Sequence, residues 1–151
     1  MENIENTKKR ALRILGNRNF SEQEMRTRLI SKGEKPENAE ETVKWLVDLG
    51  YINDSDYAEQ IVKHYSVKGY GQSRIRDELY KRGIPRDIWD DKLGELSDEE
   101  MYDAALEFLA KKLRDSRNED DLRRASDALV RRGFSYEEAR IIVSKYIETA
   151  E

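Results

Sequence analysis

Between residues 61 and 86 the chain carries seven basic side chains, Lys63, Lys68, Arg74, Arg76, Lys81, Arg82 and Arg86, against only Asp77 and Glu78. Tyr65, Tyr70 and Tyr80 are interleaved with them. Cations neutralise phosphates and aromatic faces stack on bases, so this is the pattern of a nucleic-acid contact. It also suits a solvated helix face in a chain where 40% of residues are charged. Within the stretch, Lys68-Gly69-Tyr70-Gly71-Gln72-Ser73 has glycines that would let backbone N–H groups approach an anion. It follows a helix and lacks the full glycine pattern of a dinucleotide or P-loop fingerprint, so it reads as a flexible connection between helices.

Other chemistries are poorly supplied. There is no cysteine, which removes disulfides, thiolate metal sites and cysteine nucleophiles. The single histidine, His64, rules out a multi-histidine metal site and reads as an exposed helix side chain. Asp90-Asp91 and Asp120-Asp121 are adjacent carboxylates, but with 32 Asp and Glu such pairs are inevitable, and none lies beside His at ligand spacing. Trp45 and Trp89 are candidate anchors for a partner, but Trp45 sits next to an apolar stripe and is expected to pack between helices. No catalytic constellation emerges, so no enzyme activity, cofactor or metal is expected. No apolar run is long enough to span a bilayer, and Met1–Arg10 lacks the apolar centre of a signal peptide, so the expectation is a soluble cytoplasmic protein with no membrane partner.

The elements that must carry the basic stretch are helices. The chain has 151 residues, about one domain's worth, yet only 37% are hydrophobic and the formal charge is -4 from 28 basic and 32 acidic residues. Too polar for one thick core and too balanced for disorder, it fits a thin fold with a large surface. An internal repeat explains how: Leu29-Ile30-Ser31-Lys32-Gly33, Leu79-Tyr80-Lys81-Arg82-Gly83 and Leu129-Val130-Arg131-Arg132-Gly133 place their glycines 50 residues apart. A glycine after a basic residue is the stop signal of a helix. Pro36, Pro85 and the capping box Ser135-Tyr136-Glu137-Glu138 then start the next one.

Further capping boxes open at Ser21-Glu22-Gln23-Glu24 and Ser97-Asp98-Glu99-Glu100, with Phe20 and Met25 as a hydrophobic staple and Asn53 and Asn118 as additional caps. Apolar stripes at helical spacing run through Ala39, Val43, Leu46 and Val47, through Tyr57, Ala58, Ile61, Val62 and Tyr65, and through Ala139, Ile142, Val143, Tyr146 and Ile147. These signals predict helices at roughly 7–16, 22–32, 36–49, 54–68, 72–82, 85–94, 98–115, 119–132 and 136–149. The expected fold is therefore all-α: an elongated, curved array of three tandem three-helix repeats, 1–52, 53–96 and 97–151. The repeats balance at +1, -1 and -4, which makes the last one the acidic one. Such an array offers one long surface, suited to an extended partner such as a filament or a nucleic acid.

In the middle repeat, Gly50-Tyr51-Ile52-Asn53-Asp54-Ser55-Asp56-Tyr57-Ala58, then Gly69, Arg74-Ile75-Arg76-Asp77-Glu78-Leu79 and Lys81-Arg82-Gly83-Ile84, resembles the signature of the RecX regulatory proteins. The triplet organisation extends the resemblance across nearly the whole chain. It implies a regulator of recombination, DNA repair and the SOS response that binds along the RecA filament on single-stranded DNA; a one-surface array on a repeating partner needs no self-association, so a monomer is expected. Such a protein restrains RecA ATP hydrolysis, strand exchange and coprotease activity, with some members also binding DNA. On this reading Lys63, Lys68, Arg74, Arg76, Lys81 and Arg82 are the central contacts, and reversing Arg74 and Arg76 is expected to spare the fold. The alternative is a DNA-binding regulator that uses a helix triplet as a helix-turn-helix reader without RecA.

Overall fold

A computed structural model describes residues 3–149, and among them are nine helices and no strand. The helices are α1 (Ile4–Leu15), α2 (Glu22–Ser31), α3 (Pro36–Asp48), α4 (Asp54–Val67), α5 (Gln72–Lys81), α6 (Arg86–Gly94), α7 (Asp98–Leu113), α8 (Glu119–Arg131) and α9 (Tyr136–Thr149). Two boundaries depart from the sequence reading. The first helix begins earlier because Asn3 caps it, accepting from the Glu5 N–H at 3.1 Å. α7 stops at Leu113, since Arg114 and Asp115 both turn left-handed, at φ 47° and 68°.

The caps form as the residue types require. Ser21 accepts from the Glu24 N–H at 3.0 Å while Glu24 accepts from the Ser21 N–H at 3.0 Å, and Ser135 and Glu138 repeat the reciprocal pair at 3.1 and 2.9 Å. Ser97 caps the Glu100 N–H, Asn53 the Asp56 N–H and Asn118 the Asp120 N–H. Both ends of the expected staple, Phe20 and Met25, are buried in one cluster. Val47 and Ile147 stand at the margins of their stripes and remain 37% and 36% exposed, so these two are not core.

The chain divides into two compact units. One comprises the residues up to Glu59 together with Leu79–Trp89, and the other Gln60–Glu78 with Asp90 onward. The first unit is centred on Ala11, Phe20, Met25, Leu29, Ala39, Val43, Leu46 and Ile52. Lys8 lies over the ring of Trp45, which packs against that cluster. The second unit is centred on Met101, Leu109, Leu129, Phe134, Ile142 and Tyr146, with the Tyr146 hydroxyl donating to the Ser116 carbonyl at 3.2 Å.

Each unit contains the same docking seam, built where a Leu-x-x-basic-Gly turn meets the corner before the second helix of the preceding repeat. In the first unit the Ser21 hydroxyl donates to the Arg82 carbonyl, and a Cβ on Gly83 would stand 2.7 Å from the Gln23 Cβ. In the second, the Gly71 N–H donates to the Arg132 carbonyl at 2.8 Å and the Ser73 N–H to the Gly133 carbonyl at 3.2 Å. There a Cβ on Gly133 would stand 2.5 Å from the Arg74 nitrogen, and one on Gly71 would collide with the Gly133 carbonyl. The first repeat has the same turn without a visitor: at Gly33, with φ +97°, an added Cβ would meet nothing within 4 Å.

Charge is also buried in the first unit. Asp54 is 5% exposed and accepts from the Glu22 N–H at 2.9 Å. Burial raises the pKa values of both carboxyls, and the Asp54 charge adds to the rise at Glu22.

Two stability measurements follow. Gly33→Ala meets only the left-handed backbone penalty of about 1–2 kcal/mol. Gly133→Ala adds the collision with Arg74, a further loss of about 1–3 kcal/mol. Urea unfolding of the two variants is therefore expected to rank Gly133→Ala well below Gly33→Ala, and equal losses would remove the seam as a source of stability. For Asp54, a folded pKa above the unfolded one means that ionisation works against the fold as pH rises through the folded value. Asp54→Asn is expected to melt higher than the parent at pH 7, with the difference vanishing below the unfolded carboxyl pKa. Melts across pH 3–8 check both.

Candidate functional site

The six basic residues singled out in sequence do not all fall in one compact unit. Lys63, Lys68, Arg74 and Arg76 belong to the second, and Lys81 and Arg82 to the first. Lys63, from the last part of α4, Lys68, just after its end, and Arg76, from α5, are exposed, with Arg76 reaching Gln72 Oε1 at 3.4 Å. Lys81, at the end of α5, is exposed as well. His64 is exposed and meets Tyr65 edge to face.

Arg74 is different. Its Nε donates to Glu78 Oε1 at 3.1 Å, and its guanidinium lies 5.7 Å from the Tyr65 ring and 5.1 Å from the Tyr70 ring. The hydrogen bond to Glu78 raises the Arg74 pKa, outweighing burial. Glu78 is only 7% exposed, so a carboxylate at position 74 would put two like charges together beside a buried one. Reversal at Arg74 is therefore expected to disturb the fold, where the sequence reading expects it to be spared. Arg82 is also engaged in structure, with its carbonyl receiving Ser21 and its side chain hydrogen-bonded to Tyr57.

The residue that organises this region was not among the candidates. Arg132 Nη2 donates to the Lys68 carbonyl at 2.6 Å and Nε to the Gly69 carbonyl at 3.4 Å. Its guanidinium lies between the rings of Tyr70 and Phe108, 4.0 and 3.9 Å from their centroids. The planar fork satisfies carbonyls at the end of α4, where the helix dipole favours a cation, and its faces cover two aromatic rings. Lys68–Ser73 is therefore a clamped corner and not a flexible connection. Its Gly71 N–H is already given to Arg132, so it is not a free anion cradle.

Hollows among the described residues include three that border basic side chains. One of about 460 Å³ in the second unit is lined by Gln72, Ser73, Arg76, Gly133, Phe134 and Glu138, among others. The first unit has one of about 350 Å³, walled by Arg13, Ile14, Asn17, Arg18, Phe20, Arg28 and Lys32. The other, of about 530 Å³, has Arg18, Phe20 and Arg28 in common with it and adds Glu24, Tyr80, Lys81 and Arg82. The cations of the first repeat escaped notice in sequence because Arg13, Arg28 and Lys32 are spread over two helices and a turn. Among the described residues no group of three His, Asp or Glu is placed to hold a metal, and no helix is long and apolar enough to cross a membrane.

Models of the first, second and third three-helix domains of RecX match residues 8–46, 53–93 and 98–143, in that order. A regulatory protein RecX from Chromohalobacter salexigens is 35% identical over 133 residues, covering 86% of each chain. The chain belongs to the RecX family. A RecX regulatory protein from Deinococcus radiodurans is 35% identical over 82% of this chain and 60% of its own length, and one from Cronobacter sakazakii is 38% identical over 54% and 55%. A crystal structure of RecX from Lactobacillus salivarius superposes with a TM-score of 0.80 at 25% identity, over 95% of this chain and 96% of that one. A second RecX crystal structure gives 0.76 at 22% identity, over 92% and 70%. The relatives are named as regulatory proteins, not as enzymes.

Arg132→Ala is expected to lose about 2–4 kcal/mol of stability, from hydrogen bonds of a charged donor and its ring contacts. Arg132→Lys keeps the charge but not the fork, and is expected to recover less than half of that loss in urea unfolding.

Proposed function

We propose that this protein is a non-enzymatic regulator of homologous recombination and DNA repair that binds RecA filaments on single-stranded DNA. It restrains their ATP hydrolysis, strand exchange and coprotease activity. The observation that carries this reading is the ordered match of all three RecX domains along one chain. Its repeats, 1–52, 53–96 and 97–151, act as the binding modules of a cytoplasmic monomer.

The proposed contacts divide by their structural surroundings. Lys63, Lys68, Arg76 and Lys81 are exposed and supply the charge offered to the filament. Arg74 and Arg82 are held by Glu78 and Tyr57, and contribute by fixing the helices that carry the exposed cations. The third repeat, at a balance of -4, complements a basic protein surface. Charge of this kind governs encounter rate and register more than total affinity.

The test is RecA ATP hydrolysis on single-stranded DNA while this protein is titrated from far below to above the RecA concentration. Inhibition well below one molecule per RecA is expected. Inhibition only near stoichiometry would indicate competition for DNA, and an unchanged rate without filament binding would overturn the proposal. Lys63→Glu with Arg76→Glu, both exposed, is expected to shift half-inhibition upward at least tenfold with the melting temperature unchanged.

A further inference from the structure

We infer that the open Lys32-Gly33 turn is a docking seat for a second copy of this chain, entered by the corner before that copy's α8. The inference goes beyond the filament reading, because it concerns the contact of the chain with itself.

Pairing within the fold leaves one turn and one corner over. The corner before α2 sits on the turn at Gly83, and the corner before α5 on the turn at Gly133. Each of these turns receives the corner of the repeat before it. By that rule the Gly33 turn has no predecessor to receive, and the corner before α8 has no successor to sit on. An added Cβ on Gly33 would meet nothing within 4 Å. Asn118 is exposed, and its hydrogen bonds among the described residues are only to Ser116, Asp120 and Leu122.

The open turn has the shape of an occupied one. Gly33 and Gly133 stand at φ 97° and 103°. The Gly33 N–H donates to the Ile30 carbonyl at 3.0 Å and the Glu34 N–H to the Leu29 carbonyl at 3.0 Å, as Gly133 does to Val130 at 3.0 Å and Phe134 to Leu129 at 3.1 Å. At the occupied turn the visitor uses two carbonyls, those of Arg132 and Gly133. At the open one the Lys32 carbonyl accepts from Arg10 Nη1 at 2.7 Å, but the Gly33 carbonyl accepts no hydrogen bond among the described residues. Ile30 is 42% exposed, whereas its counterpart Val130 packs against the core of the second unit.

The corner before α8 has the matching donor and the matching charge. At the first seam Ser21 Oγ accepts from the Glu24 N–H and donates onward to the Arg82 carbonyl. Asn118 Oδ1 likewise accepts from the Asp120 N–H at 2.8 Å, and its amide nitrogen, without a partner among the described residues, is left to donate. Arg13, Arg28 and Lys32 rim the open turn around a hollow of about 350 Å³ whose walls contain no carboxylate, and their side chains make no ion pair among the described residues. Facing them would be the acidic first turn of α8, Glu119, Asp120 and Asp121. Arg123 pairs with Asp120 and Arg124 with Asp121, so Glu119 is the carboxylate free to meet the rim. A bare anion would meet the cations but not the Gly33 carbonyl, which needs a donor; this corner brings both. One corner on one turn is a small contact, so the dilute chain stays the monomer of the filament reading.

The test is sedimentation velocity of the full chain alone, after nuclease treatment, from about 10 μM to about 1 mM, the range in which weak contacts are populated. The weight-average sedimentation coefficient is expected to climb with concentration and to climb less at high salt. Lys32→Glu and Glu119→Lys each put like charges at the junction, and each alone is expected to weaken association about tenfold. An equimolar mixture of the two variants restores opposite charges at every junction between unlike copies, and is expected to recover the parent's association to within about twofold. Recovery in the mixture also shows that neither variant is misfolded. Lys111→Glu, a charge reversal on an exposed residue of α7, is expected to change little. A coefficient independent of concentration in the nuclease-treated parent, a mixture no more associated than its separate components, or an equal loss in Lys111→Glu would each overturn the inference. Because RecA is absent and Lys63 and Arg76 are unaltered, failure here leaves the filament reading standing.

Discussion

The structure depends on a backbone carbonyl meeting the corner of the preceding repeat at a position where an added Cβ does not fit. At both seams a carbonyl just before a glycine accepts from the corner ahead of the preceding repeat's second helix, and the glycine has no Cβ to hold that corner away. With only 37% hydrophobic residues, small triplets bury little apolar area each. Close approach satisfies polar groups that would otherwise face a thin core, and it fixes register through hydrogen-bond geometry, which apolar contact alone does not specify. Where the seam has no neighbour, at Lys32-Gly33, an arginine from α1 takes the carbonyl.

Much of this was legible in sequence because local rules and the tertiary arrangement agree. Reciprocal Ser–Glu caps, proline or asparagine at helix starts and glycine at helix ends place the helices to within a few residues, and the staple at Phe20 and Met25 marks the core that forms. The 50-residue spacing of the glycines reveals the repeat, but only half of what those glycines do. A helix stop is a local property, whereas the approach of Gly71 to Gly133 joins residues 62 apart and leaves no mark in either segment alone. The Lys68–Ser73 corner misled for the same reason, since glycines that look permissive in isolation are there because a neighbouring backbone occupies the space.

The basic stretch shows the corresponding limit for function. Sequence counts charges, while the fold decides which of them are committed. Arg74 and Arg82 balance a buried carboxylate and a tyrosine hydroxyl, Arg132 closes a corner, and Lys63, Lys68, Arg76 and Lys81 remain at the surface. Cations that are distant in sequence, Arg13, Arg28 and Lys32, come to border one hollow only through the packing of α1 on α2. A census of basic residues per segment therefore overstates the middle repeat and understates the first.

The division into compact units has a consequence for taking the molecule apart. The three matched RecX domains lie at 8–46, 53–93 and 98–143, but the units exchange chain near Glu59, Glu78 and Trp89, inside α4, α5 and α6. A fragment cut between repeats keeps whole helices yet severs a seam: residues 1–52 alone would lose Leu79–Trp89 and leave the Ser21 corner without the Arg82 carbonyl. The natural modules for expression, labelling or grafting are therefore not the sequence repeats. The middle triplet is shared property, and no cut through it leaves either neighbour whole.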